Sequence, residues 1–95
     1  MRLDPRQHDF LKKTIVGILP DATVYLFGSR TDDQRKGGDI DILVIASRKL
    51  TFYENVDIHY EFERTFGEQK LDVLSYTTSD QDPFKQLVLQ GALLL

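Results

Sequence analysis

Residues 23–45 decide the fold of this chain, and they read TVYLFGS, RTDDQRKGG and DIDILVI in succession. The first and last pieces are rich in β-branched, aromatic and other apolar residues, which is typical of strands. The last run is nearly continuous, as expected of a strand covered on both faces. The stretch therefore predicts two strands, over residues 23–27 and 39–45. They are joined by a short helix over residues 29–35 and a glycine turn at 37–38.

Two aspartates open the second predicted strand. Asp39 and Asp41 are two residues apart, and because side chains alternate across a strand, both carboxylates point to the same face. Like charges this close repel each other unless a cation lies between them. Carboxylate oxygens suit Mg²⁺, and phosphate oxygens can complete its coordination. The alternative is a solvated turn at the start of a strand, with both carboxylates in water.

A glycine and a serine end the first predicted strand. Gly28 lets backbone N–H groups approach an anion closely, and a helix that starts at Ser29 adds donors and a favourable dipole. The simpler interpretation is a strand-to-helix turn in which Ser29 caps the helix. Arg30 follows and either neutralises phosphate or is a surface charge, and surface charge is the preferred interpretation of Arg35 and Lys36. A phosphate cradle beside a metal site is what phosphoryl or nucleotidyl transfer requires.

Asp72 supplies a third carboxylate, in the predicted strand LDVLSY over residues 71–76. A lone carboxylate in a short apolar strand is unfavourable unless it is paired or metal-bound. If this strand lies beside the one that carries Asp39 and Asp41, Asp72 joins the same cluster. It is then the candidate for activating the attacking hydroxyl, or for holding the metal that does so. The alternative is an edge-strand carboxylate that faces water.

The remaining segments predict helices and one more strand. A helix begins at Asp4-Pro5 and ends at Pro20, a second spans residues 52–66, a third spans 83–90, and an edge strand spans 92–95. In the second helix, helical periodicity predicts an apolar face formed by Phe52, Val56, Tyr60, Phe62 and Phe66. The order predicts a single α/β (α+β) domain over residues 1–95, with a small mixed sheet flanked by helices.

Composition excludes several classes of function. The net charge of −3 argues against a protein that binds nucleic acid through a basic surface. The chain has no cysteine, and His8 and His59 are too few and too far apart for a zinc cluster. No apolar run reaches the roughly 20 residues that span a bilayer, and the N-terminus lacks the apolar centre of a secretory signal. We therefore expect a cytoplasmic protein.

The spacing of these residues resembles the signature of the polymerase-β-like nucleotidyltransferase superfamily. Gly28-Ser29 is followed after nine residues by Asp39-Ile40-Asp41, and later by Asp72 in a strand. The short chain and its ending QGALLL are most similar to the minimal nucleotidyltransferases of bacteria and archaea. The resemblance extends over most of the chain and implies the nucleotidyltransferase fold.

The resemblance also implies a chemistry and a partner. Asp39 and Asp41 would bind Mg²⁺, two ions being expected, Asp72 would complete the triad, and Gly28 and Ser29 would hold the triphosphate of ATP. Such proteins are often encoded beside a helical HEPN-domain protein, and those that act as antitoxins transfer AMP from ATP to a tyrosine of that partner. We therefore expect a Mg²⁺-dependent nucleotidyltransferase with a HEPN-domain partner. The second hypothesis is a non-catalytic antitoxin or nucleotide-binding module that acts by contact.

Overall fold

Three α-helices and four strands follow one another in the computed structural model, which describes residues 1–34 and 38–95. This order confirms the predicted α/β (α+β) class with a small mixed sheet and flanking helices. A short 3-10 helix, Gly28–Thr31, follows the first strand. The helices are α1 (Pro5–Ile18), α2 (Phe52–Phe66) and α3 (Pro83–Leu89), and the strands are β1 (Thr23–Phe27), β2 (Ile40–Ala46), β3 (Leu71–Thr77) and β4 (Leu93–Leu94).

The connection between β1 and β2 differs in detail from the prediction. The helix expected over residues 29–35 is a single 3-10 turn that begins one residue earlier. Asp39 lies just before β2 instead of opening it. The predictions for Arg35, Lys36 and Gly37 concern positions outside the described residues, and they stay predictions. The longest helix in the described ranges is α2, with 15 residues, and no helix there is long and apolar enough to cross a membrane.

The sheet has the strand order β3-β2-β1-β4. Strand β1 runs antiparallel to both β2 and β4, whereas β2 and β3 are parallel. A parallel pair needs a crossover connection, and α2 provides it. The register places Phe27, Asp41 and Asp72 in one row across β1, β2 and β3. The start of β2 therefore lies between the end of β1 and the start of β3.

The hydrophobic core lies between the sheet and helices α1 and α2. Strand residues at alternate positions join it, and because side chains alternate, the residues between them face the other side of the sheet. Asp41 and Asp72 are such intervening residues, so their carboxylates lie on the face away from α1 and α2. The core residues include Leu11 and Ile15 of α1, Ile58 and Phe62 of α2, Val24 and Leu26 of β1, Ile40, Ile42 and Val44 of β2, and Leu71 and Val73 of β3.

The prediction for the apolar face of α2 was wrong for three residues. Phe52, Val56 and Tyr60 are exposed, and the buried positions are Ile58 and Phe62. The reason is that α2 lies at the β3 edge of the sheet, so that only one side of the helix is covered. Asn55 on that side donates to the Val73 carbonyl at 3.3 Å. Polar contacts with the edge strand therefore replace part of the expected apolar packing.

Lys85 on α3 ties down the loop that follows β3. Its side chain is only 4% exposed, and Nζ donates to the carbonyl oxygens of Thr77, Thr78 and Asp80 at 3.0, 3.1 and 2.9 Å. The replacement Lys85→Met keeps the length of the side chain but leaves these three acceptors without their donor. We expect the free energy of unfolding to fall by about 2 kcal/mol.

Urea denaturation at pH 7 measures this effect. The matched control is Lys13→Met on α1, where the lysine is exposed. Equal unfolding midpoints for the two variants would show that the Lys85 ammonium contributes nothing to stability.

Candidate active site

Two carboxylates lie side by side on the open face of the sheet. Asp41 and Asp72 are register partners in the parallel strands β2 and β3, and neighbouring strands are about 4.8 Å apart. The strand neighbourhood on which the Asp72 hypothesis depended is therefore present. Phe27 continues the same row on β1, so the pair lies where the β1 chain turns into the 3-10 helix.

The electrostatics of Asp41 disfavour its charged form. Burial raises the pKa of this carboxyl above its ordinary value of 3.8, and the charges of Asp72 and then Asp39 raise the pKa further. The Lys70 ammonium acts in the opposite direction. Neighbouring carboxylates repel one another when they are ionised, so a cation between them would relieve the repulsion.

Asp39 points to a basic neighbour. Its Oδ2 atom lies 3.4 Å from Nζ of Lys70, the residue just before β3, and the Lys70 and Asp39 side chains are 68 and 44% exposed. Lys70 was missed in the sequence analysis, although a basic residue next to the strand that carries Asp72 was a usable signal. In residues 1–34 and 38–95, no three acidic or histidine side chains converge as a ready set of metal ligands. Asp41 and Asp72 are adjacent, whereas Asp39 is engaged by Lys70.

The glycine turn after β1 packs directly against this carboxylate pair. Gly28 has a φ of 78°, and a Cβ atom at this position would overlap Oδ2 of Asp41. A Cβ atom at Gly38 would likewise overlap Oγ of Ser29. Thr31 Oγ1 closes the turn by donating to the Gly28 carbonyl at 2.8 Å. The turn and the carboxylates therefore form one compact site, which requires glycine where the backbone meets a side chain.

Comparison with known proteins identifies the family. Residues 13–95 match the family described as Polymerase beta, Nucleotidyltransferase. The chain belongs to this family. It is 27% identical, over 79 residues, to the probable protein adenylyltransferase MntA of Haemophilus influenzae, an alignment that covers 82% of this chain and 68% of the relative.

Two solved structures share the fold of this nucleotidyltransferase. One is a mutant toxin-antitoxin complex MntA-HpeT, with a TM-score of 0.68 and 19% identity over 90% of this chain and 69% of the other. The second is a tri-AMPylated Shewanella oneidensis HEPN toxin in complex with MNT antitoxin, with a TM-score of 0.63 and 20% identity over 90% and 66% of the two chains. The predicted nucleotidyltransferase fold is confirmed.

In this nucleotidyltransferase, Arg30 braces the turn to the N-terminal segment. Its Nη1 donates to the Arg2 carbonyl at 2.8 Å and its Nε donates to the Gly38 carbonyl at 3.3 Å. Arg2 reciprocates, because its backbone N–H donates to the Arg30 carbonyl at 2.8 Å and its Nη2 donates to the Ser29 carbonyl at 3.1 Å. Contact between Arg30 and a triphosphate stays a prediction, and the sequence carried no sign of the role of Arg2.

Proposed function

We propose that this chain is a Mg²⁺-dependent nucleotidyltransferase that transfers AMP from ATP to a hydroxyl group of a partner protein. The observation that carries the proposal is the Asp41–Asp72 pair packed against the Gly28 turn. Carboxylates adjacent to a backbone turn suit a metal-bound triphosphate, because the metal and the phosphates then share one small volume. Membership of the nucleotidyltransferase family supports the same chemistry.

Each site residue has a role in the proposed reaction. Asp41 and Asp72 would hold Mg²⁺, and Asp39 would join them once it leaves Lys70, since all three supply the oxygen ligands that this ion prefers. Bound Mg²⁺, as two ions, would lower the pKa of the attacking hydroxyl and neutralise the leaving oxygens. The backbone at Gly28 and Ser29 would hold the β- and γ-phosphates.

The transfer itself is a single in-line displacement. A bond would form between the acceptor oxygen and the α-phosphorus, the bond from that phosphorus to the pyrophosphate oxygen would break, and the hydroxyl proton would pass to solvent through a carboxylate oxygen of Asp72. The protein contributes positioning and charge stabilisation.

The proposed acceptor is a tyrosine of a HEPN-domain partner. The relative named as a probable protein adenylyltransferase and the solved complex of an MNT antitoxin with a tri-AMPylated HEPN toxin support this choice. The net charge of −3 gives no attraction toward a nucleic-acid acceptor. Asp72 is exposed, so the site is open on the side from which an acceptor would arrive. A cytoplasmic location fits the use of ATP.

The test is a labelling reaction with α-labelled ATP, Mg²⁺ and the product of the neighbouring gene. We expect AMP on a partner tyrosine, located by mass spectrometry, and no label with Asp39→Ala. The matched control is Glu68→Ala, which removes an exposed carboxylate three residues before β3 and should leave the transfer unchanged. Label on RNA ends without any protein partner would refute the proposal of a protein acceptor. The absence of label under every condition would refute the proposed enzymatic activity.

A further inference from the structure

Four apolar side chains on α2 lie in the open instead of in the core. Phe52, Tyr53, Val56 and Tyr60 are 75, 79, 45 and 63% exposed. Positions 52, 56 and 60 are four residues apart, so they follow one side of the helix, with Tyr53 beside them. We call these four residues the α2 stripe. Solitary exposed apolar residues are common, but a contiguous patch that includes three aromatic rings marks an interaction surface.

Phe52, Val56 and Tyr60 of the α2 stripe line a groove of about 560 Å³ that runs along α2. Asn55 and His59 also line this groove, and they contact the carbonyl oxygens of Val73 at 3.3 Å and Leu71 at 2.8 Å. Those carbonyls face away from β2, because the carbonyl of Lys70, the preceding residue, accepts from β2. We call this cavity the edge groove. It runs along the flank of α2 from which Asn55 and His59 reach the edge strand.

We propose that the edge groove is the docking site for an amphipathic helix of the acceptor protein, one that combines an apolar face with basic residues. This inference rests on the proposed function, since it names the surface that would bring the acceptor to the site. An extended apolar stripe beside a helix is the surface on which a partner helix packs, with its own apolar side chains every three or four residues.

The size of the stripe indicates that it is one part of a larger interface. Four side chains with these exposures present about 500 Å² of surface, since a whole aromatic side chain presents about 150–250 Å². A stable pair of proteins buries about 800 Å² on each partner. The stripe therefore supplies only part of such an interface. A partner that also covers the open face beside Asp72 would contribute the rest.

The negative charge around the groove predicts a positively charged docked partner. Glu63 lines the groove, and α2 also exposes Asp57. The nearby Arg64 is paired with Glu61 at 2.6 Å, so its charge is already compensated. A helix with Lys or Arg beside its apolar face complements this surface. A second copy would bring the same negative charge and a net charge of −3, which opposes self-association.

The position of the edge groove also suits delivery of a hydroxyl to the site. His59 lines the groove and contacts the carbonyl of Leu71, and the next residue in the chain is Asp72, whose side chain lies on the opposite face of the sheet. The groove therefore lies on the side of α2 that contacts β3 next to the residue that carries this carboxylate. A partner held in the groove would reach the carboxylates by extending around the start of β3.

The test measures, by calorimetry, binding of this chain to the product of the neighbouring gene. We expect the double variant Tyr53→Ser/Tyr60→Ser to bind at least about tenfold more weakly, because exposed aromatic anchors dominate such interfaces. The matched control is Phe84→Ser/Leu87→Ser, which removes two exposed apolar side chains from α3. Thermal melts establish that each variant is folded. Glu63→Lys is a second variant, expected to weaken binding and to reverse its salt dependence.

The outcomes separate this inference from the proposed function. Unchanged affinity of the α2-stripe variants would overturn the docking site. A wild-type dimer in sedimentation that the Tyr53→Ser/Tyr60→Ser variant abolishes would overturn it in favour of a second copy. Binding of the partner through the stripe without any transfer of AMP would refute the proposed reaction and leave the docking site standing. Both double variants should bind a Mg²⁺–ATP analogue as wild type does.

Discussion

Replacing Asp41 by Asn is expected to reduce the rate of AMP transfer by on the order of 10³-fold. The same replacement is expected to stabilise the metal-free protein at neutral pH. The loss of activity follows from removal of the carboxylate that lies between Asp39, Asp72 and the Gly28 turn. The gain in stability follows from the raised pKa of Asp41, whose causes are burial first and the charges of Asp72 and Asp39 next.

The direction of the pH dependence follows from the raised pKa. The folded state binds the Asp41 proton more tightly than the unfolded state, where the pKa is near 3.8. The stabilising contribution of the protonated group is complete below that value and is lost as the pH rises through the folded pKa. At pH 7, well above the unfolded pKa, the unfavourable ionisation of Asp41 in the folded state opposes folding, and the neutral, isosteric Asn side chain removes this opposition.

Urea denaturation in metal-free buffer, at pH 7 and near pH 4, measures this difference. The matched control is Asp21→Asn, for which the opposite sign is expected. The pKa of Asp21 is lowered by hydrogen bonds from Ser47, whose backbone N–H donates to Oδ2 at 2.9 Å, so ionised Asp21 favours folding. A lower midpoint for Asp41→Asn at pH 7 would assign this residue a structural role. Full transfer activity of the Asp41→Asn variant would show that Asp41 is not part of the active site.

The second large effect is expected for Gly28→Ala, which should reduce transfer by at least about 100-fold. A Cβ atom at this position would overlap Oδ2 of Asp41, so either the turn or the carboxylate must move. The backbone φ of 78° adds strain of about 1–2 kcal/mol for a residue with a side chain. The change therefore acts together on the turn that we propose to hold phosphate and on the carboxylate that we propose to bind Mg²⁺.

The variant Gly67→Ala separates the effect of backbone strain from the effect of the overlap with Asp41. Gly67 follows α2 with a φ of 82°, and a Cβ atom there would meet nothing within 4 Å. Both variants should lose stability through the backbone, as measured by thermal unfolding, but only Gly28→Ala should lose transfer. If the two variants lost transfer equally, general destabilisation would explain the effect, and the contact between Gly28 and Asp41 would have no role in the reaction.

Local sequence patterns were sufficient for most of the fold. The bounds of β1 and α2 were predicted to the residue, because each element is a continuous pattern that ends at a glycine, Gly28 or Gly67. The adjacency of Asp41 and Asp72 was conditional on two strands being neighbours, and the parallel register of β2 and β3 satisfied that condition. The family resemblance added the nucleotidyltransferase fold, which the periodicity alone did not distinguish from other mixed sheets.

Contacts between distant segments could not be predicted in this way. Lys70 and Asp39, which form an ion pair, are 31 positions apart, and Arg30 and Arg2 are 28 apart, so no local pattern joins them. The prediction of the apolar face of α2 was wrong for a related reason. Periodicity finds apolar residues on a helix, but it does not show that the helix overhangs the edge of a sheet. At that edge polar Asn55 donates a hydrogen bond to the strand, and aromatic Tyr60 remains exposed to solvent.

The side chains of α2 that contact the edge of β3 have a consequence for the newly made chain. An exposed strand edge is a template on which other chains aggregate. The helix carries its own start signal, a capping box between Thr51 and Glu54, and it forms the crossover that connects β2 to β3. Asn55 and His59 therefore belong to the connection that makes β3 an edge strand, and they contact the carbonyls of that edge. The same connection that permits the parallel pair under the candidate site thus also protects its edge against aggregation.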